Sequence, residues 1–342
     1  MRLSINKEIK SEIVHYYDSR SKDMIASTGN HFKITLNKEE FNVKVPNKSI
    51  LINFRILRRL LRLDKSNAFF NYSKTGVVII YSSRIYFFDL NTKHLKFINQ
   101  LKQCRCVLHN SISVTQDGIY FGEYGRNTSR QGVPIWSSHD DGKSFSIIHE
   151  VPQGKIKHIH GIYDDPYSSS LWITTGDKTG ECFLIEAIDH NFKDLKWYGD
   201  GSQSWRTVSI FFTEDKIIWI MDSPNILPTL QIFDRELKTI SSGQSFDAPV
   251  WYIKRLDAGG ALIQTSIEPG KAVTTNNSKI FYSNNFLDWT EVHRFKKDIL
   301  PKILFKFGVI SFSDGYQDLN SFIISGEALK GLDGTSFECS IN

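Results

Sequence analysis

HNSISVTQDGIYFGEYG (residues 109–125), HGIYDDPYSSSLWITTGD (160–177) and RTVSIFFTEDKIIWIMDS (206–223) are three versions of one phrase. Each has a β-rich run, a polar turn and a second run that carries an aromatic residue (Tyr120, Trp172, Trp219). Each then reaches an acidic residue, Glu123, Asp177 or Asp222. Weaker echoes stand at GVVIIYSSRIYFFDLNT (76–92), VWYIKRLDAGGALIQTSIEP (250–269) and ILFKFGVISFSDG (303–315). Successive copies lie about 35 to 50 residues apart, the period of a propeller blade. Runs of Val, Ile, Phe, Tyr and Trp bounded by Asp, Gly, Ser and Asn are strands joined by tight turns, not helical pairs. With a further β-rich piece at residues 31–45, the pattern predicts an all-β chain: a six- or seven-bladed β-propeller of four-stranded antiparallel blades.

Composition agrees with such a fold. The chain has 342 residues, 40% hydrophobic and 23% charged, with 9 prolines and 22 glycines, which is an ordinary folded composition without linker-like stretches. Residues 65–342 are expected to form the propeller body. Residues 1–64 read as a β-rich and helical segment that contributes to the propeller or packs on it. The net charge of +5 is too mild to indicate a nucleic-acid partner. Arginines concentrate in INFRILRRLLRLDK (52–65), a short amphipathic basic helix expected to dock on the fold surface, the alternative being a membrane-surface or partner contact. The N-terminus has no uninterrupted apolar segment of the secretory kind, and no run approaches a transmembrane span. Cys104, Cys106, Cys182 and Cys339 are too few and too irregular for a disulfide framework or a paired zinc site, so the expected compartment is the reducing cytoplasm.

SHDDGKSF (138–145) fits S-x-D-x-G-x-x-[WF]. The spacing suits a hairpin turn: Asp140 can accept turn amides, Gly142 tolerates positive φ, and Phe145 packs back on the sheet. YSNNFLDWTEV (282–292) reads as a decayed second copy. The motif resembles the Asp box of the sialidase-like β-propellers, also called BNR repeats. The series GEYGRN, HIHG, DDPY, LWITTGD and GSQSWR between residues 122 and 206 is similar to BNR-repeat proteins labelled glycosyl hydrolases and met near bacterial surface-polysaccharide genes. The resemblance implies that the box is a fold-holding turn away from the catalytic face. It also implies an arginine cluster for a sugar carboxylate, a Tyr/Glu nucleophile pair and an acidic Asp. Arg206, Arg126, Tyr124, Glu123 and Asp177 supply such residue types, whereas the family's N-terminal arginine motif is not found.

Aligning Ile112, Ile162 and Val208 brings Asn110, His160 and Arg206 into equivalent positions, with His158 two residues before His160. Strand alternation sends both histidines to one face. They admit three readings: acid/base or substrate contact near neutral pH, a metal site completed by Gln203, or hydrogen bonding with no further role. No cofactor is expected, a divalent metal at His158 and His160 being the subordinate reading. Arg126 and Arg206 are candidate carboxylate clamps, and Arg130 reads equally as a solvated loop residue. Glu123, Asp177, Glu181 and Asp222 offer the carboxylates that glycoside hydrolysis requires. Tyr124, Gln203, Trp205 and Asp222 are candidate substrate contacts; Trp172 and Trp219 are expected in the core.

These residues predict a carbohydrate-active protein that cleaves a glycosidic bond in an acidic glycan, as a glycoside hydrolase or polysaccharide lyase. His158 or His160 would be the acid/base, with Glu123 or Asp177 as second carboxylate. The alternatives are a non-catalytic propeller binding a glycan or protein, and a transferase or accessory factor in surface-polysaccharide assembly. No phosphate-binding glycine loop, dinucleotide fingerprint or cysteine metal cluster is present in the sequence, which argues against a nucleotide cofactor.

Overall fold

The structure, a computed structural model, describes residues 1–47, 49–63 and 65–342. Asp64, where the expected boundary and the end of the basic helix fall, lies outside the described residues. In chain order the strands are β1 (Leu3–Ile9), β2 (Ile13–Tyr17), β3 (Met24–Thr28), β4 (His31–Leu36), β5 (Glu39–Lys44), β6 (Ser66–Phe70), β7 (Gly76–Tyr81), β8 (Arg84–Asp89) and β9 (His94–Gln100). There follow β10 (Ser113–Val114), β11 (Ile119–Gly122), β12 (Val133–Ser138), β13 (Ser146–Val151), β14 (His158–Asp164), β15 (Leu171–Gly176), β16 (Cys182–Ala187) and β17 (Leu195–Gly201). The rest are β18 (Phe211–Phe212), β19 (Lys216–Ile220), β20 (Thr229–Asp234), β21 (Ile240–Ser245), β22 (Val250–Arg255), β23 (Ala261–Thr265), β24 (Asn277–Ser283), β25 (Thr290–Lys296), β26 (Val309–Phe312), β27 (Phe322–Glu327) and β28 (Ser336–Ile341). Two short helices are α1 (Arg55–Leu61) and α2 (Lys302–Phe305).

Among the described residues the strands form seven four-stranded sheets. Their pairings are antiparallel throughout those recorded, and the fold is a seven-bladed β-propeller. Six sheets use four consecutive strands, and the seventh has the order β1-β28-β27-β26. Within a sheet, burial falls along the chain for a physical reason. Middle strands such as β7 (GVVIIY) and β15 (LWITTG) are buried on both faces and are mostly apolar runs, whereas the last strands β9, β17 and β21 are largely exposed and polar.

The chain forms two compact units. The first comprises Met1–Lys65, Pro224–Pro228 and Gln244–Asn342. In it β1 runs antiparallel to β28, with Leu3 opposite Ile341 and Ile9 opposite Ser336. Val14, Tyr17 and Ala26 pack against Ile323 of β27. The second comprises Ser66–Ser223 and Thr229–Gly243, and its sheets are joined by three apolar layers. Val78, Ile80 and Phe87 meet Phe121, Trp136 and Phe145; Tyr120 and Ile135 meet Ile159, Ile162 and Ile173; Trp172 and Leu184 meet Trp205, Trp219 and Phe233. No helix among the described residues is long and apolar enough to cross a membrane. All four cysteines are free.

Candidate functional site

Strand β14 opens with His158, which lies opposite Gly176 at the end of β15, and Asp177 follows at once. A register shift between Ile159 and Gly161 makes a bulge at His160. Bulges re-aim side chains, and here the two imidazoles meet, with their Nε2 atoms 3.1 Å apart. Asp177 Oδ1 lies 3.2 Å from His158 Nε2 and 3.3 Å from His160 Nε2. Both histidines are buried, while the Asp177 side chain keeps 23% of its surface in solvent.

The opposite ring nitrogens decide the chemistry. His158 Nδ1 lies 2.8 Å from the Gly125 carbonyl oxygen, and His160 Nδ1 lies 2.7 Å from that of Thr207. A carbonyl only accepts, so both Nδ1 atoms carry protons and donate. The two Nε2 atoms then face each other and a carboxylate oxygen, a convergence that either a proton on one Nε2 or a metal cation satisfies. Burial pushes the His158 imidazole below its usual range, against the pull of Asp177. Burial opposes ionisation of Asp177, yet hydrogen bonds to the two imidazoles and their charge hold its carboxyl well below the usual carboxylate range.

The donor set fits a divalent metal. Tetrahedral sites with bonds of about 2.0–2.2 Å have adjacent ligands roughly 3.3–3.5 Å apart, and the edges here are 3.1, 3.2 and 3.3 Å. Carbonyl acceptors on the far ring nitrogens are the usual support for metal-ligating histidines. Three protein ligands leave a fourth position for water or substrate.

The surroundings of the triad are cationic and aromatic. Lys157 Nζ bonds Asp177 Oδ2 at 2.5 Å. Arg206 Nη2 lies 3.4 Å from Asp177 Oδ1, and its Nη1 donates to the Asp177 carbonyl at 3.1 Å. Its Nε and Nη2 also pair with buried Asp222 at 3.2 and 3.1 Å. The Tyr124 ring lies 4.2 Å from that of His158 between centroids. Gln203 donates to the Asp177 carbonyl at 2.9 Å and accepts from Ser223 Oγ at 3.0 Å. It therefore braces the backbone that carries Asp177, and the third-ligand position expected of it falls to Asp177 itself.

Several sequence-predicted residues lie elsewhere or are otherwise engaged. The fully buried Glu123 carboxylate accepts the Lys102 and Gln103 amides at 2.8 and 2.5 Å and Trp136 Nε1 at 2.9 Å, so it is absorbed in holding a loop. Trp205 packs on Trp219 and Phe233 at ring-centroid distances of 5.6 and 6.0 Å, within the apolar layer that also holds Trp172. It is a core residue, because the 3-10 turn Gln203–Trp205 directs its indole inward. Glu181 pairs with Arg130 at 2.5 Å, which removes Arg130 from the class of purely solvated residues. Arg126 is exposed one residue after Gly125, whose carbonyl holds His158. Lys157 escaped the sequence reading; alternation assigns it to the face opposite His158, and only the local turn ahead of β14 brings its amine to Asp177.

No protein-family model matches the chain, and no curated protein matches it. Solved structures do. An oligogalacturonate lyase from Vibrio parahaemolyticus is 9% identical, with 99% of this chain and 97% of that one covered and a TM-score of 0.58. The WD40 repeats of RRP9 are 6% identical over 100% and 98% of the two chains, with a TM-score of 0.56. A chain of the mitotic checkpoint complex is 7% identical over 100% and 93%, with a TM-score of 0.55. At these identities the likeness concerns the fold.

Proposed function

We propose that this protein is a carbohydrate-active enzyme that cleaves a glycosidic bond in an acidic glycan at a centre built from His158, His160 and Asp177. The observation that carries the reading is the convergence of two Nε2 atoms and a carboxylate oxygen, 3.1–3.3 Å apart, with both imidazole tautomers set by backbone carbonyls. His158, His160 and Asp177 would hold a divalent metal. A bound metal supplies Lewis-acid polarisation of a substrate carboxylate or carbonyl oxygen, or acidifies a water. Around it the chain's own groups divide the work. Arg206 holds Asp177 in place from its carbonyl and carboxylate sides. Lys157 Nζ, at the partly open edge, is placed to bind an anionic sugar group. The Tyr124 ring closes one wall against His158 and limits the approach of water. Exposed Arg126 offers a planar fork for a sugar carboxylate. The resemblance to the sialidase-like propellers and the fold likeness to an oligogalacturonate lyase both favour an acidic-sugar substrate.

The test is a paired assay on purified protein loaded with Mn or Zn, offered oligogalacturonate, other uronic-acid oligosaccharides, sialylated oligosaccharides and neutral glucans. Release of new reducing ends from an acidic glycan, lost in His158→Ala/His160→Ala and after chelation, is the expected result. An accompanying rise in ultraviolet absorbance from an unsaturated sugar identifies elimination; its absence identifies hydrolysis. Turnover that the double variant retains in full would remove the centre from the reaction.

A further inference from the structure

The basic helix α1 is built the wrong way round for a surface helix in water. Its arginines point into the fold. Arg55 bonds Glu12 at 3.2 Å and Asp333 at 3.0 Å, Arg59 bonds Asp298 at 2.8 Å and Asp333 at 3.2 Å, and Arg58 pairs with Glu12. Arg58 and Arg59 are buried. With its polar face consumed, the helix turns its apolar face outward, along with that of the preceding 3-10 turn Ile50–Asn53. Ile50 is 77% exposed, Phe54 60% and Ile56 59%. Arg59 also donates to the Phe305 carbonyl at 2.8 Å and stacks on the Phe305 ring, which sets α2 beside α1. There Ile299 is 99% exposed and Ile303 89%. Large aliphatic side chains grouped in this way mark a contact surface.

Charge selects the occupant. Residues 50–63 carry four arginines and no acid, and residues 294–306 carry five cations against Asp298 alone. After the buried pairs, Arg62 and Lys296 are exposed and Lys302 half-buried, alongside these aliphatic groups in the chain. Two copies of the chain meeting through this face would oppose cation to cation. An apolar face with a cationic border matches a lipid surface with anionic headgroups, where aliphatic side chains enter the boundary region and lysines and arginines meet the phosphates.

We infer that the α1/α2 face docks this protein on an anionic membrane surface. The inference is independent of the glycan-cleaving site, which lies in the other unit. Phe54→Asp/Ile303→Asp alters only exposed side chains, so its melting temperature should match that of the parent. Purified full-length protein should co-sediment with vesicles of equimolar phosphatidylcholine and phosphatidylglycerol. Binding should fall about tenfold or more on pure phosphatidylcholine, each interfacial cation contributing to the attraction, and similarly for the double variant. Three results overturn the inference: no sedimentation with anionic vesicles, equal binding to both vesicle types, or undiminished binding of the variant. A dimer of the parent protein that the variant dissolves would also overturn it, assigning the face to a second copy.

Discussion

Gly176 has no side chain where His160 needs space: a Cβ there would stand 2.6 Å from His160 Cε1 and 3.3 Å from Arg206 Cγ. Neither contact yields easily, because His160 is pinned to Thr207 and Arg206 to Asp222. Gly176→Ala should therefore tilt the imidazole off its line to Asp177 while leaving the apolar layers intact. Titration calorimetry with Zn or Mn should show affinity lower by roughly 10–100-fold, the usual cost of disturbing the support of a metal ligand, with melting little changed. Unaltered metal affinity would mean that His160 is not a ligand. The sequence showed part of this centre. H-x-H spacing is local, so alternation marked the two histidines as neighbours, although a bulge at His160 sets how the rings meet, and Asp177 stood out as the acid ending one repeat. Its counterparts Glu123 and Asp222 looked equivalent and are spent on loop amides and on Arg206. Repeat position does not report which partner reaches a carboxylate across sheets, and the same blindness hid Lys157.

A turn is legible when its chemistry is local, as at residues 138–145. Asp140 accepts the Ser144 amide at 2.8 Å and the Ser138 hydroxyl at 2.8 Å, the Gly142 amide donates to Ser138 Oγ at 2.8 Å, and Phe145 is buried. The second, shorter version repeats the logic: Ser283 Oγ lies 3.0 Å from Asn285 Oδ1, and Trp289 is buried. The first turn also ties neighbouring sheets, since Asp141 accepts the Tyr72 amide at 2.8 Å and Asn71 Nδ2 at 2.8 Å. Gly142 sits at φ +89, and a Cβ there would lie 2.7 Å from Val78 Cγ2. Gly142→Ala should cost about 1–3 kcal/mol from backbone strain, read as a lower midpoint in urea unfolding with an unchanged slope. An unmoved midpoint would show that this turn relaxes without cost. Helix α1 teaches the opposite lesson. Its periodicity was plain in the sequence, but its orientation was not, because Glu12, Asp298 and Asp333, which draw the arginines inward, are remote along the chain.

Counting repeats left six blades or seven, and the ambiguity came from the chain ends. The β-rich piece at residues 31–45 lacks the repeated phrase although it lies in a sheet of four consecutive strands, β2–β5, and β1 belongs instead to a sheet whose other strands come last in the chain, Leu3 pairing with Ile341. A contact of such separation leaves no periodic trace, and it closes slowly in folding because the loop entropy is lost before the pairing is gained. Once made, it matters for the whole molecule. Without β1 the ladder groups of β28 would form an open edge, exposing a strand that carries buried Cys339 and inviting association with other chains. Net ladder bonds contribute roughly 0.5–1.5 kcal/mol each, so several lost together are comparable with the 5–15 kcal/mol of a typical fold. Deleting residues 1–10 should lower the melting temperature and add light scattering at temperatures where the parent stays clear. The decisive arm is complementation in trans. A free peptide of sequence MRLSINKEIK should restore the melting temperature in proportion to its concentration, and a scrambled peptide of equal composition should not. Equal rescue by both would assign the strand a merely covering role. Failure of the deletion to change melting at all would mean that the three remaining strands suffice, and that β1 stabilises nothing beyond itself.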